Sequence, residues 1–435
     1  MSLLNDLHDI SFRARNAFFD LSVAPLEKRN RALSCMAELL RQRAEEIFAA
    51  NTEDLRRAEE EGLAAPLLHR LKFGEEKLAQ VCDGLRSLAG LPDPIGRTTV
   101  SREITADLRL YRVVCPIGVI GVIFESRPDA LIQIASLCVK SGNAVLLKGG
   151  REALRTNQAL CRAVRDALSA AELPADGAQL LETREDVASM LKEDELIDLI
   201  IPRGSNAFVR YIMDNSRIPV LGHADGVCHV YVDRDADPDM AVTLCVDSKT
   251  QNVSVCNAAE TLLIHRDAAA ALLPRIAEAL RAKGVEIRGD ETAVRLTGCL
   301  PASEDDWSAE YLDYIVSVKT VSSLREAIRH INHYGSHHTD CIVTENPETA
   351  AEFLNRVDSA GVYWNVSTRF ADGFVYGFGA EVGIATGKLH ARGPMGLEGL
   401  TTYKYKLIGK GHTLAEMKSG ARAYTHRDLS EDCPV

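Results

Sequence analysis

The chain has 435 residues, of which 46% are hydrophobic and 26% charged, with a net charge of −12. That length exceeds what one core usually organises and implies two or three structural units of a soluble globular protein. The acidic balance excludes a general nucleic-acid binder, which needs a basic face, and no apolar run approaches the ~20 residues that cross a bilayer.

The opening MSLLNDLHDISFRARNAFF has early acidic residues and no apolar core of a secretory signal, so the expected location is the cytoplasm. Residues 1–90 are rich in Ala, Leu, Arg and Glu. Their apolar positions recur at three- and four-residue spacing, as at Leu33, Met36, Ala37 and Leu40, which predicts helices punctuated at Gly62, Pro66 and Gly74. A turn at 91–96 leads into an extended stretch at 102–114. From there the pattern alternates. Strands are predicted at 117–124, 144–148, 196–201, 218–221 and 228–232, with helices at 129–140, 152–171 and 205–215. A helix at 238–250 precedes a second series, with strands at 260–265, 315–320, 340–344 and 361–366 and helices at 268–283, 322–332 and 347–357. Such alternation predicts α/β units with parallel sheets and crossover helices. A final strand is expected at 400–408, followed by a polar tail.

Eleven cysteines lie scattered between Cys35 and Cys433 without a CxxC pair, which reads as free thiols in a reducing compartment. Cys256, in SVCNAAET (254–261), stands at the seam between the two series, where ligands usually sit. A thiolate there could attack a carbonyl carbon and hold it as a thioester. A buried, inert thiol fits the same spacing. In AVLLKGGREALRTN (144–157) a strand runs into Lys148, Gly149, Gly150 and Arg151 before a helix. That arrangement can set a cation and free N–H groups against a phosphate, though an ordinary turn would look alike. IPRGSNAFVRYI (201–212) repeats the design at Gly204 and Ser205. Arg127 in FESRPDA and Arg369 in NVSTRFADG each follow an apolar strand, as a cation for an anionic substrate would, or as surface residues. His390 and Arg392 in KLHARGPMG fit a phosphate contact or a structural turn. His330, His333, His337 and His338 lack a cysteine or carboxylate at ligand spacing, so no metal is expected.

Taken in order, the stretches 115–153, 201–212, 247–265 and 360–405 resemble the gamma-glutamyl phosphate reductases, a family of the aldehyde-dehydrogenase superfamily. The most specific motifs are CNAAET and KLHARGPMGLEGLTTYK. The resemblance implies an α/β, aldehyde-dehydrogenase-like fold. Its parts would be a cofactor-binding domain (1–97 and 115–253), a catalytic domain (254–385), a small β oligomerisation arm (98–114 and 396–410) and a polar tail (411–435). It implies Cys256 as nucleophile and Lys148, Gly149, Gly150, Gly204 and Ser205 as cofactor contacts. Arg151 takes the place of a glutamate that holds ribose hydroxyls in NAD-preferring relatives, which favours the 2′-phosphate of NADPH. Ser126 replaces an oxyanion-hole asparagine, and His223 stands where hydrolytic relatives carry a water-activating glutamate.

The implied reaction is NADPH-dependent reduction of L-glutamyl 5-phosphate through a Cys256 thioester. Ser126, Asn257 and backbone N–H groups would serve the oxyanion and Arg127 and Arg369 the substrate's anionic groups; Lys249, seven residues upstream, is a candidate to assist the Cys256 thiolate if the loop folds back. The implied partners are a second copy of the chain, in at least a dimer, and, transiently, the glutamate kinase that makes the substrate. A hydrolytic aldehyde dehydrogenase is the first rival, disfavoured by His223. A catalytically inactive homologue is the second, disfavoured by the intact CNAAET.

Overall fold

A computed structural model describes residues 3–125, 127–182, 185–222 and 225–435. Its first 90 residues form α1 (Leu3–Leu21), α2 (Leu26–Gln42), α3 (Ala44–Glu60), α4 (Ala65–Leu71) and α5 (Glu75–Gly90). The predicted stripe explains α2: Leu33, Met36, Ala37 and Leu40 are buried on one face, against the same core as α5. The extended stretch is a hairpin of β1 (Thr98–Thr105) and β2 (Leu108–Pro116). Asp107 makes its turn at φ 64°, a left-handed conformation that aspartate tolerates.

The first α/β unit follows as β3 (Val119–Phe124), α6 (Pro128–Lys140), β4 (Ala144–Lys148), α7 (Leu154–Ala170), β5 (Ala178–Leu180), α8 (Glu185–Met190), β6 (Leu199–Arg203) and α9 (Asn206–Asn215). The four strands are parallel in the order β5-β4-β3-β6. Every residue of β3 and β4 is buried, as a strand covered on both faces requires. The strand expected at 218–221 is reduced to a single bridge between Ile200 and Val220. Pro219, which has no N–H to give a ladder, stands in the middle of that segment.

The second unit runs through β7 (Cys228–Val232), α10 (Pro238–Thr250), β8 (Ala259–His265), α11 (Arg266–Arg281), β9 (Glu286–Gly289), α12 (Glu291–Thr297), β10 (Leu300–Pro301), β11 (Ile315–Val321), α13 (Leu324–Tyr334), β12 (Thr339–Val343), α14 (Pro347–Arg356) and β13 (Gly361–Trp364). Its seven parallel strands lie in the order β10-β9-β11-β8-β7-β12-β13. Because β7 is paired on both sides here, to β8 and β12, the chain leaves the first sheet between residues 203 and 228 and not at 254.

After β13 the chain returns to the first unit. Val382, Ala385, Met395 and Leu400 bury themselves in its core, around the short pair β14 (Ile384–Ala385) and β15 (Gly393–Pro394). β16 (Thr401–Ile408) then joins β2 over eight residue pairs. The polar tail is not free of the fold. It forms α15 (Leu414–Lys418) and β17 (Arg427–Asp428), and β17 completes the antiparallel sheet β16-β2-β1-β17.

Candidate active site

Cys256 lies in the loop between α10 and β8, at the N-terminal edges of β7, β8 and β12. The loop is tied down from several sides. Ser248 Oγ meets Ser367 Oγ at 3.2 Å and accepts from the Thr368 N–H at 3.2 Å. Thr368 Oγ1 donates to the Asn257 carbonyl at 2.7 Å, and Asn257 Nδ2 donates to the Ala371 carbonyl at 2.9 Å. Gly226 presses against the loop from below: a Cβ there would stand 2.3 Å from the Cys256 carbonyl oxygen and 2.6 Å from its Cα. Cys228 Sγ also reaches the Cys256 carbonyl, at 3.3 Å.

The candidate partner of the thiol, Lys249, is engaged elsewhere. Lys249 Nζ pairs with Glu260 Oε2 at 2.5 Å, both side chains fully buried, so this lysine clamps α10 to β8 and is spent on that task. The group that meets Cys256 is His338, whose Nε2 lies 3.2 Å from Sγ. Its other ring nitrogen, Nδ1, is 2.9 Å from Thr339 Oγ1. The two residues are brought together by adjacency of the β8 and β12 ends across β7.

Burial pushes the Cys256 thiol up to about 12, with Glu310 and Glu381 adding to the rise, while its own backbone N–H and Arg369 oppose it. Burial likewise raises Glu381 to about 7, against a hydrogen bond from the Gly373 N–H at 3.0 Å. The cations come from both units. Arg369, in the 3₁₀ turn after β13, is held by Gln251 Oε1 at 2.8 Å and senses the Cys256 charge. Arg203, at the C-terminal end of β6, senses Cys256, Arg127, Asp129 and Glu381. Arg127 is itself paired with Asp129 at 3.1 Å. The sequence pattern singles out Arg127 and Arg369 and passes over Arg203, although it ends a predicted strand beside a Gly-Ser turn.

The C-terminal edge of the first sheet carries the expected cofactor residues. Lys148 Nζ donates to the Gly149 carbonyl at 2.6 Å. A Cβ on Gly149 would stand 2.2 Å from Asn157 Nδ2, so the turn and α7 approach as only glycine allows. Gly150 leads into the 3₁₀ turn that begins at Arg151. Arg151 is 79% exposed and paired with Glu61 at 2.9 Å. Gly204 and Ser205 open α9, where the Ser205 N–H reaches Glu125 Oε2 at 3.4 Å. The protein's own carboxylate thus sits at the anion-favouring end of that helix. Lysine, glycine turn and helix start converge on one sheet edge, which is a donor set suited to a dinucleotide's phosphates.

Ser126 and His223 lie outside the described residues. Asn257 is buried and fixed to Ala371, so it serves the loop's position. Arg392 is held by Asp358, at 3.2 Å to its Oδ1, which makes that turn structural. The four histidines part company. His330 stacks edgewise on His229 and Trp307, His337 Nδ1 meets the Asp358 carbonyl at 2.6 Å, and His338 alone reaches the thiol. All eleven cysteines are free thiols.

The model of the aldehyde dehydrogenase family matches residues 4–313. The gamma-glutamyl phosphate reductase of Acetivibrio thermocellus is 55% identical over 99% of this chain and all of its own. That of Pelotomaculum thermopropionicum is 56% identical over 98% of each. The crystal structure of the Thermotoga maritima gamma-glutamyl phosphate reductase superposes with a TM-score of 0.92 at 41% identity, covering 94% of this chain and 99% of that one.

Proposed function

The chain belongs to the aldehyde dehydrogenase family and, within it, to the gamma-glutamyl phosphate reductases, and from that premise we propose that it reduces L-glutamyl 5-phosphate to L-glutamate 5-semialdehyde with NADPH, the second step of proline biosynthesis, in the cytoplasm. The observation that carries the chemistry is Cys256, set on a pinned loop where Arg203 and Arg369 sense its charge.

Cys256 Sγ attacks the acyl carbon, phosphate leaves, and the acyl group stays on sulfur as a thioester. The reduced nicotinamide, when bound, supplies the hydride that converts this acyl group to the aldehyde. Lys148, Gly149, Gly150, Gly204 and Ser205 would hold the cofactor's phosphates, at the helix end where Glu125 now sits. Arg151 would hold the 2′-phosphate in place of Glu61, an exposed partner whose pairing contributes only about 0–1 kcal/mol. Arg127, Arg203 and Arg369 receive the substrate's carboxylate and phosphate. Backbone N–H groups beside Cys256, with Ser126, receive the oxyanion, and each such donor contributes about 3 kcal/mol to lowering the barrier. Asn257 acts indirectly, by fixing the loop. With His223 in the place of a glutamate base, the thioester waits for reduction and not for water. The arm sheet supports a homodimer, and the instability of the acyl phosphate favours transient contact with the kinase that makes it.

The reverse reaction tests this reading. Glutamate semialdehyde and NADP⁺ should give NADPH only when phosphate is present, and Cys256→Ala should abolish turnover while retaining NADPH binding. Oxidation without phosphate would make the enzyme hydrolytic, and turnover by the variant would remove the covalent step.

A further inference from the structure

Cys256 has a need that its loop does not meet. Burial and two carboxylates, Glu310 and Glu381, hold the thiol in its protonated form, whereas only the thiolate is nucleophilic. The lysine seven residues upstream is committed to Glu260. One imidazole nitrogen lies within reach of the sulfur, and the ring that carries it is 1% exposed and braced by Thr339.

We propose that His338 is the catalytic acid–base partner of Cys256: Nε2 takes the thiol proton as Sγ attacks the acyl carbon and passes it to the departing phosphate. This rests on the acyl-phosphate reading above. The S–H bond breaks, the sulfur electron pair forms the C–S bond, and the C–O bond to phosphate breaks with its pair on oxygen. The proton carried by Nε2 goes to that oxygen, so hydrogen phosphate leaves and the imidazole ends neutral. No oxidant or reductant enters this half of the reaction. When the aldehyde is later released, the C–S bond breaks and its pair returns to sulfur as thiolate. One solvent proton then reaches sulfur through the same nitrogen, which is the single proton the overall reduction consumes. Thr339, one residue on, keeps the ring turned toward the sulfur.

The pair does not act in isolation. Glu310 and Glu381 face the sulfur and oppose its ionisation, Arg203 and Arg369 favour it, and Cys228 packs behind the loop with a thiol that burial keeps neutral. A pH profile must therefore separate the role of His338 from that of Glu381, which acts on the sulfur and which burial raises to about 7.

The test is the rate of iodoacetamide alkylation at Cys256, followed by the mass of its peptide so that the other ten thiols do not contribute, from pH 5.5 to 9.5 in full-length enzyme without substrate. In the natural protein the rate should level off within this range, as for a thiol whose proton a neutral imidazole takes during attack. In His338→Gln the plateau should vanish, the rate climbing tenfold per pH unit and falling at least ~10-fold short of the natural protein at pH 7. In Glu381→Gln the plateau should remain. With acyl phosphate, His338→Gln should lower kcat by about 100-fold at nearly constant KM. A profile in the natural protein that climbs without levelling up to pH 9.5 would overturn the proposal, and that measurement needs no variant to fold. So would a plateau that survives in His338→Gln. Alkylation needs no substrate: a plateau lost in His338→Gln, in a protein that fails to reduce acyl phosphate, would keep the pair and refute only the substrate.

Discussion

Arg151 shows how much one side chain can say about a cofactor. Its position, three residues after the lysine that ends β4, points through the family resemblance to a 2′-phosphate. The fold leaves its side chain in solvent with only Glu61 to release. A charge-assisted hydrogen bond contributes about 1.5–3 kcal/mol, so Arg151→Glu should weaken NADPH binding about 10- to 100-fold and leave NADH binding nearly as it was. Fluorescence titration with both cofactors checks this, and equal loss of both would assign Arg151 to folding. Cys256 is legible in the same way, by its motif. His338 is not. It stands in the run HYGSHH, where four histidines within nine positions invite only a metal reading, and the contact that matters spans 82 residues. Periodicity reports which face of an element is buried and never which loop end meets which, so such a pair becomes visible only when β8 and β12 are placed on either side of β7.

At the scale of the element, the sequence is legible where burial imposes a pattern and opaque where a backbone detail decides. The fully buried strands β3, β4 and β7 all announce themselves as apolar runs. The segment at 218–221 looks similar in composition, and a proline in its middle reduces it to one bridge. Lys249 misleads for the opposite reason: a lysine near a cysteine suggests activation, while its real work is to join α10 to β8 in a fully buried ion pair with Glu260. Burial opposes both charges, lowering the lysine and raising the glutamate to about 7, and each is kept by the other. Removing one partner leaves an uncompensated buried charge, which typically costs about 3–5 kcal/mol. Lys249→Met and Glu260→Gln should each lose stability on that scale in urea unfolding at pH 7. The double variant should recover part of the loss, because the surviving charge is gone. Losses below about 1 kcal/mol in both single variants, the range of an exposed pair, would show that water reaches the site.

For the whole molecule, the order of elements is enough to indicate two parallel α/β units, because alternation of strand and helix leaves few topologies. The place where the chain passes between them is not legible, since β7 looks no different from a fifth strand of the first sheet until its partners are known. The tail misleads because an edge strand of two polar residues carries no apolar signal. Its ties are nonetheless numerous. Arg102 and Arg109 pair with Asp428 and Glu431 at 2.7 and 3.0 Å, and the Tyr111 hydroxyl donates to Glu431 at 2.7 Å. The N–H groups of Thr425 and Leu429 donate to the Ile104 and Ser101 carbonyls at 2.9 and 2.8 Å. On the opposite margin of the same sheet, β16 exposes Tyr403, Tyr405 and Leu407 at 52–59%, an apolar row that suits a second copy of the chain. β16 and the two-residue β17 are the margins of the arm sheet, and without β17 the eight-residue β1 would become an uncovered margin with more free backbone groups. Deleting residues 425–435 should therefore speed hydrogen exchange at the amides of β1 at least ~10-fold and leave β3, β4 and β8 protected, since local opening follows the contacts that are lost. The same deletion should raise the weight-average mass in solution with protein concentration, as strands pair margin to margin. Unchanged exchange in β1 would mean that the tail lies on the arm without holding it, and that β1 and β2 are stable as a hairpin backed by β16 alone.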